Sequence, residues 1–359
     1  MRSSTALLLA VVVAGCTSGA GAAPAASTVP AGSTAPAATA ALTGIGAGLQ
    51  GPAGLAASVY ATGLANVSAF AFDGGGRLWA ATAGFDDTGS DAVYLVASPG
   101  ATPTRIIAGL HTPLGLVWDA DVLYVASEGR VEAYADLDDG AFATRTTVMT
   151  LPDGVGEVNG LVESPDGRLV LGISAPCDAC TPASEYAAAV VSFLPDGSDL
   201  RIEASDIRAP VGLAYYPGTD DLFVTMNQRD DLEAATPGDW LALVRSGQSW
   251  GFPDCFGQDA TACDGVPEPV AELDAHAAVS GVAIVERLGS WIGSSAFVAE
   301  WSKGVVLRVA LAAEGEVYSG TVQPFLSGLT NPVPVAAAPD GAILVGDWGT
   351  GTIYRVAPA

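Results

Sequence analysis

Gly160-Leu-Val-Glu-Ser-Pro-Asp-Gly-Arg-Leu-Val-Leu-Gly172 is the segment on which the fold turns. An apolar run, a Pro-Asp-Gly turn and a second apolar run describe two short strands joined tightly. The unit returns along the chain. Ala69-Phe-Ala-Phe-Asp73 goes with Arg77-Leu-Trp-Ala-Ala81, Gly115-Leu-Val-Trp-Asp119 with Val122-Leu-Tyr-Val-Ala126, and Gly212-Leu-Ala-Tyr-Tyr-Pro-Gly218 with Leu222-Phe-Val-Thr225. Gly281-Val-Ala-Ile284 goes with Ala296-Phe-Val-Ala299, and Val335-Ala-Ala-Ala-Pro-Asp-Gly341 with Ile343-Leu-Val-Gly346. A spacing of roughly 45 to 70 residues is that of a four-stranded blade with its loops. Most copies continue into another strand, such as Ala92-Val-Tyr-Leu-Val96 or Thr352-Ile-Tyr-Arg-Val356, and long helical patterns are absent. The expectation is an all-β chain forming a six-bladed β-propeller over residues 54–359, closed by pairing of its first and last segments.

Residues 1–16 read as an export signal, with Arg2 as the positive end and Ala6 to Ala14 as an apolar core too short to span a bilayer. Val13-Ala-Gly-Cys16 fits a bacterial lipobox, in which Cys16 is lipidated and becomes the new N-terminus. An ordinary cleaved signal peptide is the alternative. Residues 17–53 are Ala, Gly, Pro, Ser and Thr with almost no charge, and read as a flexible tether. The expected location is the extracytoplasmic side of the cell membrane, held by acyl chains at about 0.8 kcal/mol per buried CH₂. The chain has 14 Lys plus Arg against 39 Asp plus Glu, a net charge of −25. Such a surface repels nucleic acid and anionic headgroups, so nucleic acid is not an expected partner and the membrane is met through the anchor.

With Cys16 lipidated, four cysteines remain in two close pairs, and an exported protein meets oxidising conditions. The expected disulfides are Cys177–Cys180 and Cys255–Cys263. A zinc site formed by both pairs is the rival reading, although only Cys177-x-x-Cys180 has a familiar spacing.

The segment from Ile207 to Cys263 carries a family resemblance. Arg208-Ala-Pro-Val-Gly-Leu213, the polar loop Asn227-Gln-Arg-Asp-Asp231 and Trp250-Gly-Phe-Pro-Asp-Cys255 follow one another in an order similar to that of the pyrroloquinoline-quinone (PQQ) glucose and sorbosone dehydrogenases. The resemblance covers essentially residues 55–357. It implies a propeller with PQQ flat over the axis, a His as general base, cations and an Asn on the cofactor, and a polarising Ca²⁺. A sugar is the implied ligand. PQQ carries three carboxylates, so its site must supply positive charge and donors. On these positions Arg208, Arg229 and Lys303 are the implied cofactor-binding cations, and Asp230 is the implied calcium ligand. Several positions depart from the pattern. Where the family has its base, Gly156-Glu-Val-Asn-Gly160 offers only Glu157, which could act as a base if desolvation raised its pKa. Ala209 replaces an Asn, and Asn331 and Val333 stand where a basic pair is usual.

Two other readings therefore stay open. One is a non-catalytic, lipid-anchored propeller that binds a ligand or a protein on its top face, marked by aromatic side chains without a ring of cations. The other is a calcium-dependent, lactonase-like propeller with Glu157, Asn159, Asn227 and Asp347 converging at the axis. His111 and His276 are the only histidines. Each could face the site or serve structure. The acidic stretches Asp86-Asp87, Asp136-Leu-Asp-Asp139 and Asp230-Asp231 match no EF-hand loop and read first as solvated turns. No motif of nucleotide enzymes or of the common hydrolase classes is present.

Overall fold

The computed structural model describes residues 41–86, 88–257 and 261–359. Cys16 and Asp87, together with most of the expected signal and tether, lie outside the described residues. The described chain forms six sheets, numbered here as blades in chain order. Blade 1 is Val67–Phe72, Leu78–Thr82, Ala92–Val96 and Thr104–Ala108. Blade 2 is Gly115–Asp119, Val122–Ser127, Arg130–Asp138 and Ala141–Thr150. Blade 3 is Val158–Glu163, Leu169–Ile173, Ala189–Phe193 and Arg201–Ser205. Blade 4 is Pro210–Tyr215, Leu222–Met226, Gly238–Val244 and Ala271–Ala275. Blade 5 is Val279–Val285, Ser295–Glu300, Val305–Glu314 and Val317–Ser327. Blade 6 is Pro332–Ala337, Ile343–Asp347, Thr352–Pro358 and, as its outermost strand, Leu55–Ala61. The first strands of successive blades touch in ring order, and blade 6 meets blade 1. The chain is a six-bladed β-propeller.

The repeat has a packing reason. The second strands Leu78–Thr82, Leu169–Ile173, Leu222–Met226, Ser295–Glu300 and Ile343–Asp347 are buried along their whole length, because both faces of each sheet are covered by neighbouring blades. Buried apolar residues form six clusters, one at each junction between blades. The repeated Gly is also explained. A Cβ on Gly115 would lie 2.8 Å from the Asn159 carbonyl oxygen, and one on Gly160 2.5 Å from that of Val211. One on Gly281 would lie 2.5 Å from that of Val333, and Gly212 faces Ser280 in the same way. Each glycine thus lets the next blade's inner strand close in around the axis.

Both ends of the ring are tied together as expected: Tyr354 pairs with Val59 and Val356 with Ala57. One boundary differs. Thr43–Gly46 and Leu49–Gly51 form a hairpin that joins blade 5 through Gln50 and Ser327, so the folded part starts before residue 54. Ile45 and Leu49 are the cause; both are buried, and they are the apolar side chains that a Gly- and Ala-rich stretch concealed. Both expected disulfides are present, Cys177–Cys180 and Cys255–Cys263. The second anchors the Trp250 segment, whose Gln248–Ser249 pairs parallel to blade 3 and whose Trp250 is buried against Trp240.

Candidate functional site

One end of the ring is built from two kinds of loop: those leading into each inner strand, and those between second and third strands, called crown loops below. In every blade a backbone hydrogen bond joins the two. Ala83 N–H donates to the Asn66 carbonyl, Glu128 to His111, Ser174 to Glu157, Asn227 to Ala209, Trp301 to Ala278 and Trp348 to Asn331, all at 2.9 to 3.2 Å. This ladder puts Glu157, Arg208, Arg229, Asp230, His276, Lys303 and Asp347 at the same end of the propeller.

Side chains then sort this face into two halves. On blades 2 to 5, charges pair with one another. His111 Nδ1 is 2.5 Å from Glu128 Oε2. Arg208 donates to the Asp178 carboxylate, to the Asp178 carbonyl at 3.2 Å and to the Asn227 carbonyl at 3.2 Å. Arg229 grips both oxygens of Asp231 at 2.7 Å and lies 4.9 Å over the Phe256 ring. His276 presents Nδ1 to Asp230 at 2.7 Å and Nε2 to the Glu233 carbonyl at 3.0 Å. Two acceptors on one imidazole favour the doubly protonated ring, and its pKa is raised, first by the carbonyl and then by Asp230.

Glu157 faces the mouth of this region. Its side chain is exposed by area, although protein atoms lie near enough to the carboxyl to desolvate it in part. That desolvation raises its pKa above the ordinary glutamate range; the Arg208 guanidinium opposes the effect and Glu128 adds to it. The shift is in the direction a base would need, and among the described residues no hydrogen bond reaches the Glu157 carboxyl.

Blades 5, 6 and 1 supply the other half. Trp301 and Trp348 stand at equivalent positions in the crown loops of blades 5 and 6, 6.0 Å apart and edge to face. Trp348 donates Nε1–H to the Ala83 carbonyl at 2.9 Å, and Asn331 donates to the Trp301 carbonyl at 3.1 Å, which holds both rings in place. Trp301 and, in blade 1, Phe85 are exposed. Sequence reasoning passed over this pair, although Trp301-Ser-Lys-Gly304 and Trp348-Gly-Thr-Gly351 recur right after equivalent strands. It also passed over Asp178, the partner of Arg208. Behind the face, the axis is an apolar cavity of about 110 Å³ lined by inner-strand residues such as Phe70, Leu161 and Val335, too narrow for a sugar.

The expected metal arrangements are not assembled. Asp347 is buried and spends its carboxylate on the Thr330, Asn331 and Gly349 N–H groups. Asn159 is buried on Ser174 Oγ at 2.7 Å, and Asp230 is taken up by His276. Among the described residues no three His, Cys, Asp or Glu side chains converge to hold a metal ion. The calcium-dependent lactonase arrangement of Glu157, Asn159, Asn227 and Asp347 is thus not formed, because two of the four are consumed in shaping loops. A tricarboxylate cofactor fits poorly as well. Arg208 and Arg229 already face carboxylates, and Lys303 is the one cation of the expected three that no described group engages.

No protein-family model matches the sequence, and no curated protein does. Solved structures match throughout the propeller. The PQQ-bound aldose sugar dehydrogenase of Streptomyces coelicolor shares 18% identity at a TM-score of 0.68, over 86% of this chain and 99% of that one. The soluble aldose sugar dehydrogenase of Escherichia coli, in its apo form, shares 18% at 0.64, over 85% and 100%. A calcium structure of a Trichoderma reesei carbohydrate-active enzyme of family AA12 shares 16% at 0.69, over 90% and 98%. The chain has the propeller fold of these proteins.

Proposed function

We propose that this chain is an exported propeller on the sugar-dehydrogenase scaffold that binds a neutral sugar on its crown, against Trp301 and Trp348, and does not depend on PQQ. The observation that carries this reading is the combination of an aromatic pair with two arginines, Arg208 and Arg229, that are already neutralised. Aromatic faces take the apolar C–H side of a sugar ring, and the surrounding amide and carboxylate groups take its hydroxyls. The names of the similar structures support a sugar as the ligand. In calorimetry with aldoses, Trp301→Ala is expected to weaken binding about tenfold, ~1.4 kcal/mol. Reconstitution with PQQ and Ca²⁺ is expected to give neither binding nor dye reduction with aldoses; reduction would overturn the reading.

A second reading, sugar oxidation with PQQ and calcium, is favoured by one feature, the desolvated Glu157. With a sugar bound over the axis, Glu157 would be the carboxylate to take a proton from its hydroxyl. If dye reduction is found, Glu157→Gln should abolish it, and unchanged activity would eliminate Glu157 as the base. For location, we propose lipid anchoring through Cys16. Cys16→Ser should move the protein from the membrane fraction to the soluble one.

A further inference from the structure

At the end opposite the crown, a groove of about 430 Å³ separates blades 3 and 4. We infer that this groove is a second binding site, for a neutral polyhydroxylated ligand of the size of a short saccharide. Its volume lies within the range of small-molecule pockets, roughly 300–1,000 Å³. Its floor is apolar, formed by the buried side chains of Val170, Leu222 and Val244.

The polar lining is a built array. Arg168 is 6% exposed, and donates to Ser192 Oγ at 3.0 Å and to the Asp199 carboxylate and carbonyl at 2.9 and 2.6 Å. Ser192 in turn donates to Glu203 Oε1 at 2.6 Å, so a buried guanidinium orients Glu203 through one hydroxyl. Tyr215 is half-buried, and no described group hydrogen-bonds its hydroxyl. The groove is lined by Glu203, Asp166 and Asp220 beside Tyr215; burial, and then their charges, push its pKa up to about 12, so the phenol stays protonated.

Hydrogen-bond donors and acceptors alternate along the lining. Arg168 and Arg201 pair with Asp199, and Arg245 pairs with Asp221 at 2.9 Å. An anion would meet the carboxylates of Asp166, Glu203 and Asp220. A cation would be drawn to those carboxylates but would find three arginines on the same lining, each paired with Asp199 or Asp221. Neighbouring hydroxyls of a polyol can donate to the carboxylates and accept from the phenol and guanidinium N–H groups at once. The Tyr215 ring adds an apolar face for the C–H side of the ligand.

The groove does not depend on the crown reading, and the test separates them. Maltotriose is titrated by calorimetry into wild type, Tyr215→Phe, Glu203→Gln and Trp301→Ala, each checked by circular dichroism and thermal melting. Tyr215→Phe keeps the ring and its packing. Both groove variants are expected to weaken one binding event at least tenfold, and Trp301→Ala to leave that event unchanged. Binding indifferent to both groove variants, or no binding to Trp301→Ala up to tens of millimolar, overturns the site. Tighter binding of spermidine or citrate than of maltotriose, lost in Tyr215→Phe, overturns the neutral class of ligand.

Discussion

Glu157 and Arg208 stand at the starts of adjacent inner strands, where a direct ion pair would have held the carboxyl below its ordinary pKa. Arg208 instead turns to Asp178, and desolvation wins over the guanidinium's attraction. The Glu157 carboxyl followed by NMR should therefore titrate above an ordinary glutamate, and Arg208→Ala should raise it further by removing the opposing charge. A wild-type value at or below that of a free glutamate would count against the desolvated environment. A raised acid binds its proton more tightly when folded, so its contribution is present below the ordinary glutamate value and fades as pH rises through the raised one. The position of Glu157 was legible in the sequence. Its environment was not, because Asp178 is 30 residues from Arg208 and meets it only through the blade 3 crown loop.

That crown loop is held by two devices, the Cys177–Cys180 disulfide and the Arg208 clamp. Arg208→Ala should leave the disulfide intact while amides of residues 176–186 exchange at least tenfold faster, with a stability loss of about 1–3 kcal/mol for the unpaired partners. Unchanged exchange would show that the disulfide alone orders the loop. The inner strands make a sharper case. Their glycines sit where the backbone of the next blade leaves no room for a Cβ. Gly212→Ala should destabilise the protein by about 1–3 kcal/mol in denaturant unfolding, the cost of overpacking a closed core. Near-neutral behaviour would mean that neighbouring blades can move apart.

Closure makes the propeller a cooperative ring. Leu55–Ala61 completes blade 6, and Trp348 of blade 6 bonds across to Ala83 of blade 1. Deleting residues 41–61 removes that outer strand and should abolish cooperative thermal unfolding; a sharp transition in the truncated protein would show closure to be dispensable. Glu300 makes global stability depend on pH. It is fully buried between blades 4 and 5, with one oxygen accepting from Asp274 N–H at 3.3 Å and the other without a partner. Burial, with repulsion from Asp274 next, raises its pKa to about 7. Its stabilising contribution is thus full below the ordinary glutamate pKa of about 4.3 and lost as pH rises through about 7. Glu300→Gln should raise the melting temperature relative to wild type at pH 8 more than at pH 5. An equal shift at both would show that Glu300 does not titrate in this range.

The sequence by itself determined the fold and its closure, because the pattern of apolar runs, turns and glycines repeats at blade length and each repeat needs neighbours to bury both faces. It also pointed to the disulfide pairs, two close pairs of cysteines in a chain whose start reads as an export signal, and the structure decided for them over the rival zinc site. Only the tertiary structure decided how the crown uses its charges. Arg208 and Arg229 carry the same formal charge whether free or paired, His276 gains its charge through its partners, and Asp178, Asp231 and Asp230 are acids among 39. Which acid meets which base depends on loops brought together from different blades, and local pattern holds no record of that. The Trp301–Trp348 platform and the groove at Tyr215 are assembled the same way, by residues that become neighbours only when the ring has closed.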